Sequence, residues 1–437
     1  MKMKTNKILA MIVAIVMILT CFASCRTKDE NAFVITYQGE TVEIKTALYM
    51  CFLIDADQTF QTEAVKKAEE DKVEYKDYQE LKYEDKDYDT WVKDKAAQSA
   101  KEFAYYEVEQ KRLGLDFTEE EVSYIESEAE NYWDGSEGYA GYSEVYEANG
   151  ISLDTFKKYY LATYKASAVY NFYVEEVEEE HDHDHEETTA TSSSETVSSA
   201  GTTTTTTAAT TTTVPTTTEK KLSPEIEKLH GSLRPSDKDI NTTIEKNFVA
   251  IDKIEISFTD DSGEELDEKT KASHLKTLNA YAKELKNGAK FDEVYSDYQQ
   301  TFGTSTEDSS STGSDYSAVL SSSKGNESAG YDAEADEGFE EAYKLKAGEV
   351  KVIENDDNYQ LVMKKDILKA TDENGTALKD SYINTAINIL VEDTFNTDYV
   401  EKSCKEMKVK TNDSAIKFYS PKKIDYLQDE TTTTVAY

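Results

Sequence analysis

The chain has 437 residues, of which 38% are hydrophobic, and it carries a formal net charge of −40 at pH 7. This length corresponds to roughly two to three domains, and the apolar share is adequate for folded cores. So large a negative charge repels phosphates and anionic head groups, which argues against nucleic acid or an anionic lipid surface as a partner. The same charge favours solubility and the binding of cations or basic unfolded polypeptides.

Residues 1–24 have the layout of a bacterial export signal, with three early lysines followed by the apolar run Ile8 to Thr20. That run is too short for a typical membrane span. It leads to Phe22-Ala-Ser-Cys25, which resembles a lipobox, although Phe22 stands where leucine is usual and Cys21 is a weaker candidate. We therefore expect a lipid anchor on Cys25 at the extracytoplasmic face of the cell membrane, with plain secretion or an uncleaved anchor as alternatives.

Residues 32–180 predict a hairpin followed by a helical region. Ala32–Tyr37 and Thr41–Ile44 are rich in β-branched and aromatic residues, which favour paired strands. Apolar residues then recur three or four apart from Lys45 onward, and again from about Tyr88 to Leu113. These patterns predict long helices that share a core.

Two helix starts are predicted further along this region. Thr118-Glu-Glu-Glu121 resembles a capping box. The last helix begins near Ser152, reaches about Glu179 and has an aromatic face, which indicates either the core of a helix bundle or a groove for apolar peptide. The aromatic face consists of Phe156, Tyr160, Tyr164, Ala168 and Phe172.

Beyond the lipobox residue Cys25, two cysteines remain, Cys51 and Cys404. An exported protein meets oxidising conditions, in which such a pair can form a disulfide. The distance between the two residues is not readable from the sequence, so a free, buried Cys51 is an equal alternative.

Residues 181–220 predict a disordered linker, which is first acidic and histidine-rich and then almost entirely Thr, Ser and Ala. Such a composition buries too little apolar surface to offset the entropy of the chain. His181, His183 and His185 alternate with aspartates and offer ligands for Zn²⁺ or Ni²⁺. Weak cation binding and a simple solvated linker edge both fit this spacing.

Residues 245–368 predict one small α/β domain. A strand is expected at Phe248–Phe258, a helix through Leu275 and Leu285 that ends at Gly288, and a short helix at Phe339–Leu345. The hairpin Val350–Ile353 and Tyr359–Met363 follows. Gly303–Gly338, a low-complexity segment, is expected to contribute little ordered core.

Residues 378–420 predict a C-terminal helix that docks on the N-terminal region. The helix, Asp380–Met407, carries too much apolar surface to stand alone. Val409 and Ile416–Phe418 are expected to add short strands. The Thr-rich residues 429–437 are expected to form a disordered tail.

Two segments of the small domain carry a family resemblance. Leu285–Val294 looks like the parvulin pattern of helix, glycine and Phe-Asp, and Phe339–Val350 looks like its second signature. The mature chain thus resembles the parvulin-containing foldases, the PrsA-like and SurA-like extracytoplasmic chaperones. The resemblance implies an α+β fold, in which a helical chaperone-like domain built from both terminal segments is joined to a parvulin-like domain by the disordered linker.

The resemblance also implies where a proline pocket would lie. The two facing histidines of parvulins fall on Lys253 and Gln360, so both are replaced and no catalytic residue is assigned. An isomerase stabilises the twisted amide by hydrogen bonds and desolvation. Gln360 and Lys253 can donate such bonds, although an unpaired buried lysine costs several kcal/mol. The remaining pocket positions are Thr301 for the acidic or thiol residue, and Ala335, Phe339 and Tyr359 for the substrate contacts.

Three functions follow from these features. The first is a membrane-anchored foldase that binds unfolded exported polypeptides. The second is an active prolyl cis-trans isomerase, and the third is a metal-binding surface lipoprotein that uses the three alternating histidines. No Ser-His-Asp set, P-loop or dinucleotide fingerprint is apparent, and no cofactor or nucleic acid partner is expected.

Overall fold

The computed structural model describes residues 30–136, 141–177, 223–260, 262–302, 316–331, 333–372 and 374–426. These residues form two compact units. Unit 1 contains the described residues up to Val177, those from Ser223 to Ser232 and those from Thr394 onward, whereas unit 2 runs from Leu233 to Asp393. Each unit contains helices and a sheet, which confirms the α+β class.

The strands and helices have the following bounds. The strands are β1 (Asn31–Tyr37), β2 (Glu40–Lys45), β3 (Lys82–Tyr83), β4 (Lys86–Asp87), β5 (Phe248–Ser257), β6 (Ser317–Ser321), β7 (Val350–Glu354), β8 (Asn358–Lys364) and β9 (Lys408–Thr411). The helices are α1 (Thr46–Asp71), α2 (Tyr88–Leu113), α3 (Glu119–Asp134), α4 (Ser143–Ala148), α5 (Leu153–Val174), α6 (Pro224–Glu227), α7 (Asp237–Asn247), α8 (Glu268–Lys286), α9 (Phe291–Phe302), α10 (Ser323–Ser328), α11 (Phe339–Tyr343), α12 (Ile383–Phe395), α13 (Lys402–Glu406) and α14 (Asp413–Phe418).

A small antiparallel sheet in the order β2-β1-β9 joins the two ends of unit 1. β1 and β2 form the predicted hairpin, and its turn residues Gln38 and Gly39 both have positive φ, as a tight type I′ turn requires. On the other edge β1 pairs with β9, with Ile35 opposite Val409. The C-terminal part of the chain therefore completes a sheet that the N-terminal part begins.

The ends of helices α2 and α3 follow from local signals. The Asp87 side chain accepts a hydrogen bond from the Thr90 backbone N–H at 3.1 Å, and Gly114 ends α2 in the left-handed conformation. Thr118 forms the predicted capping box with Glu121. These caps satisfy backbone groups that the helix itself leaves unpaired.

Aromatic contacts attach the segment from Thr394 onward to α5. The ring of Phe395 lies 5.2 Å from that of Tyr170 and 5.5 Å from that of Tyr173, measured between centroids. Cys404 is buried in the same unit as Cys51, and both are free thiols rather than a disulfide. Burial raises the pKa of Cys404 to about 12, so this thiol stays protonated.

Three local predictions are wrong. Residues Ile416–Phe418 lie in helix α14 rather than a strand, because Asn412 caps that helix through the Ala415 N–H at 3.3 Å. Helix α5 ends at Val174 instead of near Glu179. Within the low-complexity segment, Ser317–Ser321 forms strand β6, and its Leu320 is buried. The composition of the segment does not predict a strand, but the hydrogen bonds of β6 with β5 stabilise one.

The chain returns to unit 1 after the Thr-rich stretch, whose own residues lie outside those described. The ring of His230 stacks on that of Phe172 with centroids 4.7 Å apart, and the Gly231 N–H donates to the Phe172 carbonyl at 2.9 Å. A Cβ on Gly231 would lie 2.7 Å from the Glu175 carbonyl oxygen. The described chain therefore enters unit 2 at Leu233, beyond the linker boundary expected at residue 220.

Unit 2 is organised around an antiparallel sheet in the order β6-β5-β8-β7. Because side chains alternate along a strand, the sheet has two different faces. One face, which includes Ile254 and Leu361, is covered by α8 and by the unpredicted helix α9. The other face, which includes Ile251 and Val362, is covered by Phe339 and Ala342 of α11. We call these the two-helix face and the α11 face.

Candidate functional site

The positions of the expected histidine pair lie on the α11 face of unit 2. Lys253 pairs with Val362, and Gln360 pairs with Glu255 two residues further along β5. Lys253 and Gln360 are therefore near neighbours on one face. The Glu255 carboxylate lies between them, since its Oε2 atom accepts from Lys253 Nζ at 3.0 Å and from Gln360 Nε2 at 3.4 Å.

Glu255 neutralises the lysine that replaces the first histidine. The Lys253 side chain is 33% exposed and ion-paired, so it does not carry the cost of an unpaired buried charge. Sequence reasoning missed Glu255, although its place two residues after Lys253 in a strand puts both side chains on the same face.

Gln360, at the second histidine position, is only 3% exposed. Its Oε1 atom has no hydrogen-bond partner within the described part of the chain. Gly338, immediately before α11, approaches this atom so closely that a Cβ there would lie 3.0 Å from it. The backbone at Gly338, where α11 begins, thus encloses the side-chain amide of Gln360. The Oε1 atom of this amide is a buried acceptor without a donor in the described part of the chain.

Phe339 fills the α11 face instead of lining an open pocket. It is 4% exposed and packs in a cluster with Val249, Ile251 and Val362. A proline ring would have to displace this packed side chain to reach the sheet.

The other predicted pocket residues lie elsewhere. Tyr359 points to the two-helix face, since it neighbours Gln360 in the strand, and its ring packs 4.7 Å from that of Phe258. Thr301 is exposed on α9 and donates to the Asp297 carbonyl at 2.9 Å. Ala335 is exposed in the loop before α11. Only Lys253, Gln360 and Phe339 of the expected pocket share a face.

Cys25, His181, His183 and His185 lie outside the described residues, so the lipid and metal predictions stay predictions. Among the residues that the structure does describe, no group of three or more His, Cys, Asp or Glu side chains is placed to hold a metal ion. No helix in that part of the chain is long and apolar enough to cross a membrane.

A second candidate site lies on the outer side of α3, α4 and α5 in unit 1. Four tyrosine rings follow one another there: Tyr142 to Tyr132 at 6.4 Å, Tyr132 to Tyr160 at 5.4 Å and Tyr160 to Tyr164 at 5.7 Å, between centroids. We call these four residues the tyrosine row. Tyr142 is 37% exposed, and the other three rings are half-buried.

A buried aromatic layer supports the row from below. Phe156 lies beneath it, with its ring 5.6 Å from Trp133 and 5.2 Å from Tyr146. The predicted aromatic face of α5 therefore lies partly in the core and partly at the surface. Phe156 and Phe172 belong to the core, whereas Tyr160, Tyr164 and Ala168 are half-buried.

Carboxylates border the tyrosine row. Glu128 accepts hydrogen bonds from the hydroxyls of Tyr164 and of Tyr124, which is itself 57% exposed. Burial and the Glu128 hydrogen bond raise the pKa of Tyr164, so its phenol stays neutral. Lys157 bridges Glu130 at 2.5 Å and Glu126 at 3.5 Å. The surface is thus aromatic at its centre and mainly negative at its border.

Comparisons with known proteins add little to these observations. No protein family matches the sequence, and no curated protein matches it. A solved structure that it matches is the foldase protein PrsA from Lactococcus lactis, with 13% sequence identity and a TM-score of 0.30. The match covers 88% of this chain and 96% of that chain.

Proposed function

We propose that this protein is an extracytoplasmic foldase of the holding type, which binds unfolded segments of exported polypeptides on the tyrosine row of unit 1. The observation that supports this most strongly is the continuous, solvent-reaching series of rings on α3, α4 and α5. Monomeric proteins rarely leave such aromatic surface open unless it binds something.

Tyrosine suits the transient binding of many sequences. Its ring provides apolar contact area, its hydroxyl provides a hydrogen bond, and few rotatable bonds are immobilised when a ligand binds. The carboxylates of Glu126, Glu128 and Glu130 add attraction for Lys and Arg side chains. Cation–π contacts with the exposed rings contribute further, at about 0.5–1 kcal/mol each on a surface.

The export features extend this proposal to a place of action. The segment 1–24 directs the chain out of the cytoplasm, and Cys25 carries a lipid that holds it at the membrane, where exported clients emerge unfolded. Cys25→Ala tests the anchor. We expect the substituted protein to move from the membrane fraction to the soluble extracytoplasmic fraction, and retention in the membrane would reject a lipid on this residue.

Aggregation suppression tests the binding surface. The mature protein at stoichiometric excess should slow the aggregation of an unfolded client, and the double variant Tyr132→Ala/Tyr160→Ala should lose most of this effect. Tyr331→Ala is the matched control, since Tyr331 is a 54% exposed tyrosine of unit 2. Equal suppression by the double variant and the control, with folding verified by circular dichroism, would rule out the tyrosine row as the binding surface.

Prolyl isomerisation is the second candidate, and one observation favours it: Lys253, Gln360 and Phe339 share the α11 face. The packed Phe339 opposes it, because the apolar cup for proline is filled. A proline-peptide assay separates the two functions. We expect rates equal to those in buffer, and a rate increase that Gln360→Ala abolishes would establish the enzyme.

A further inference from the structure

One extended segment of unit 1 is held like a bound peptide. Beyond the buried Pro421, the chain passes Asn149, which follows helix α4. Asn149 Nδ2 donates to the Asp425 carbonyl at 2.8 Å, and Asn149 Oδ1 accepts from the Asp425 N–H at 2.9 Å. One side-chain amide thus pairs with both the N–H and the carbonyl of one residue. Such pairing can recognise an extended backbone whatever side chains it carries.

The Asn149 side chain is already oriented by its own helix. Nδ2 also donates to the Val145 carbonyl one turn earlier, at 2.8 Å. This second hydrogen bond restrains the amide, so less conformational entropy is lost when a peptide backbone pairs with it.

The next residue along the segment, Tyr426, inserts its hydroxyl into a polar pocket. There it donates to the carboxylate of Asp57, which is 0% exposed. Tyr88 and Tyr78 donate to the same carboxylate, the latter at 3.1 Å to each oxygen. Burial and the Asp57 carboxylate raise the pKa of Tyr88 and of Tyr426, so both phenols remain donors.

The pocket has the chemistry of a specific site for a phenol hydroxyl. Hydrogen bonds to a charged acceptor are roughly twice as strong as those between neutral groups. Tyr426 is 37% exposed, so its ring lies partly in solvent while its hydroxyl reaches Asp57, and a phenylalanine in its place would donate no hydrogen bond to that carboxylate. The pocket therefore discriminates tyrosine from phenylalanine by one charge-assisted hydrogen bond.

This arrangement adjoins the tyrosine row. Tyr142, one end of the row, directly precedes α4, and Asn149 directly follows it. The two residues are seven positions apart along a helix, which corresponds to a distance of about 10 Å along its axis. A polypeptide of a few extended residues can span both places.

We propose that Asn149 and the pocket of Asp57, Tyr78 and Tyr88 form a client subsite for an extended segment bearing a tyrosine, which the chain's own Asp425–Tyr426 occupies in competition with clients. The inference rests on the proposed function and specifies the class of segment bound. Because the occupant is tethered, its effective concentration is in the millimolar range, which lowers the apparent affinity for a client.

Peptide binding to the full mature chain tests the subsite. The probe is a fluorescent peptide with the sequence Lys-Lys-Ile-Asp-Tyr-Leu-Gln, taken from residues 422–428. Tyr426→Ala should bind the probe at least tenfold more tightly than the unsubstituted chain, as measured by anisotropy. A probe with phenylalanine in place of tyrosine should bind that variant roughly tenfold more weakly than the tyrosine probe.

Two further variants make the result decisive. Adding Asn149→Ala to Tyr426→Ala should abolish binding of the tyrosine probe. If Tyr426→Ala fails to fold by circular dichroism, Tyr426→Phe keeps the ring contacts and should still raise the affinity, by a smaller factor. Equal binding of the tyrosine and phenylalanine probes to a folded variant, or no gain over the unsubstituted chain, would overturn the subsite.

Parallel measurement of aggregation suppression separates the two proposals. If suppression persists while both probes bind equally, the subsite is wrong and the foldase function stands. If suppression is absent while the tyrosine probe binds as expected, the subsite is a site for the chain's own C-terminal segment and the foldase function is wrong.

Discussion

Glu255 and Gln360 lie directly opposite each other on β5 and β8, and the Glu255 carboxylate accepts a hydrogen bond from the Gln360 amide at 3.4 Å. The same carboxylate pairs with Lys253 at 3.0 Å. This cluster occupies the place where the resemblance to parvulins predicts two histidines. Its three members satisfy one another, except for the buried Oε1 atom of Gln360.

That remaining acceptor predicts the effect of Gln360→Leu. A buried polar atom without a partner costs about 1–3 kcal/mol, and an apolar side chain of similar volume removes the cost. We expect the free energy of unfolding of unit 2 to rise by about 1 kcal/mol in urea denaturation. Gln300→Leu, on the exposed side of α9, is the control and should change it by less than about 0.5 kcal/mol. A clear loss of stability in Gln360→Leu would contradict this account of the amide.

Gly338→Ala tests the close approach to the same amide. Gly338 has φ +80 and its Cβ would lie 3.0 Å from Gln360 Oε1, whereas Gly263 has φ +79 and no atom within 4 Å. Both substitutions carry the cost of a left-handed backbone, about 1–2 kcal/mol. We expect Gly338→Ala to lower the unfolding free energy by about 1 kcal/mol more than Gly263→Ala does. Adding Gln360→Ala should cancel the excess in a double-mutant cycle, and additivity would disprove the contact.

Glu341 predicts a pH-dependent difference in stability. Hydrogen bonds from Lys344 and Lys351 lower the pKa of Glu341 from 4.5 to about 2. A carboxyl whose folded pKa is depressed stabilises the fold above its unfolded pKa, and that contribution is lost as the pH falls through the folded pKa. Glu341→Gln should therefore melt at a lower temperature than the unsubstituted protein at pH 6.

The difference in melting temperature should shrink between about pH 4.5 and 2 and vanish below that range. It should be small and salt-sensitive, because the group is exposed to solvent. Glu340→Gln is the neighbouring control: Glu340 is exposed, and none of the ion pairs found among the described residues involves it. A difference that persists at pH 2 would exclude the charge of Glu341 as its origin.

Because the chain returns to unit 1 after the linker, we expect unit 1 to tolerate deletion of the linker. Replacing residues 180–221 by a short Gly-Ser linker should leave the melting temperature of unit 1 within about 2 °C, since shortening a loop changes its closure entropy only slightly. Extending the deletion through Gly231 removes the stacking of His230 on Phe172 and the Gly231 hydrogen bond. The longer deletion should melt several degrees lower, and equal melting of the two variants would show that this docking does not stabilise unit 1.

Local signals account for the elements that sequence reasoning placed well. Helix α2 was expected at Tyr88–Leu113 and is found there, because an aspartate precedes it, a glycine follows it and its apolar period is helical. The strand expected at Phe248–Phe258 is β5. It pairs with β8, which is the second strand of the predicted hairpin. Strand β6 was missed because Ser-Ala-Val-Leu-Ser lies in a composition typical of loops, and only pairing with β5 orders it.

The sequence by itself determined the bounds of helix α2, the capping box of α3, the first hairpin and the α+β class, because caps, turns and hydrophobic periods act over a few residues. The tertiary structure alone decided which distant side chains meet. Glu255 lies between Lys253 and Gln360 because of strand register, and Tyr426 reaches Asp57 across 369 positions of sequence. The contacts of Glu255 with Gln360 and of Tyr426 with Asp57 depend on packing and register over the whole unit, so no local pattern encodes either of them.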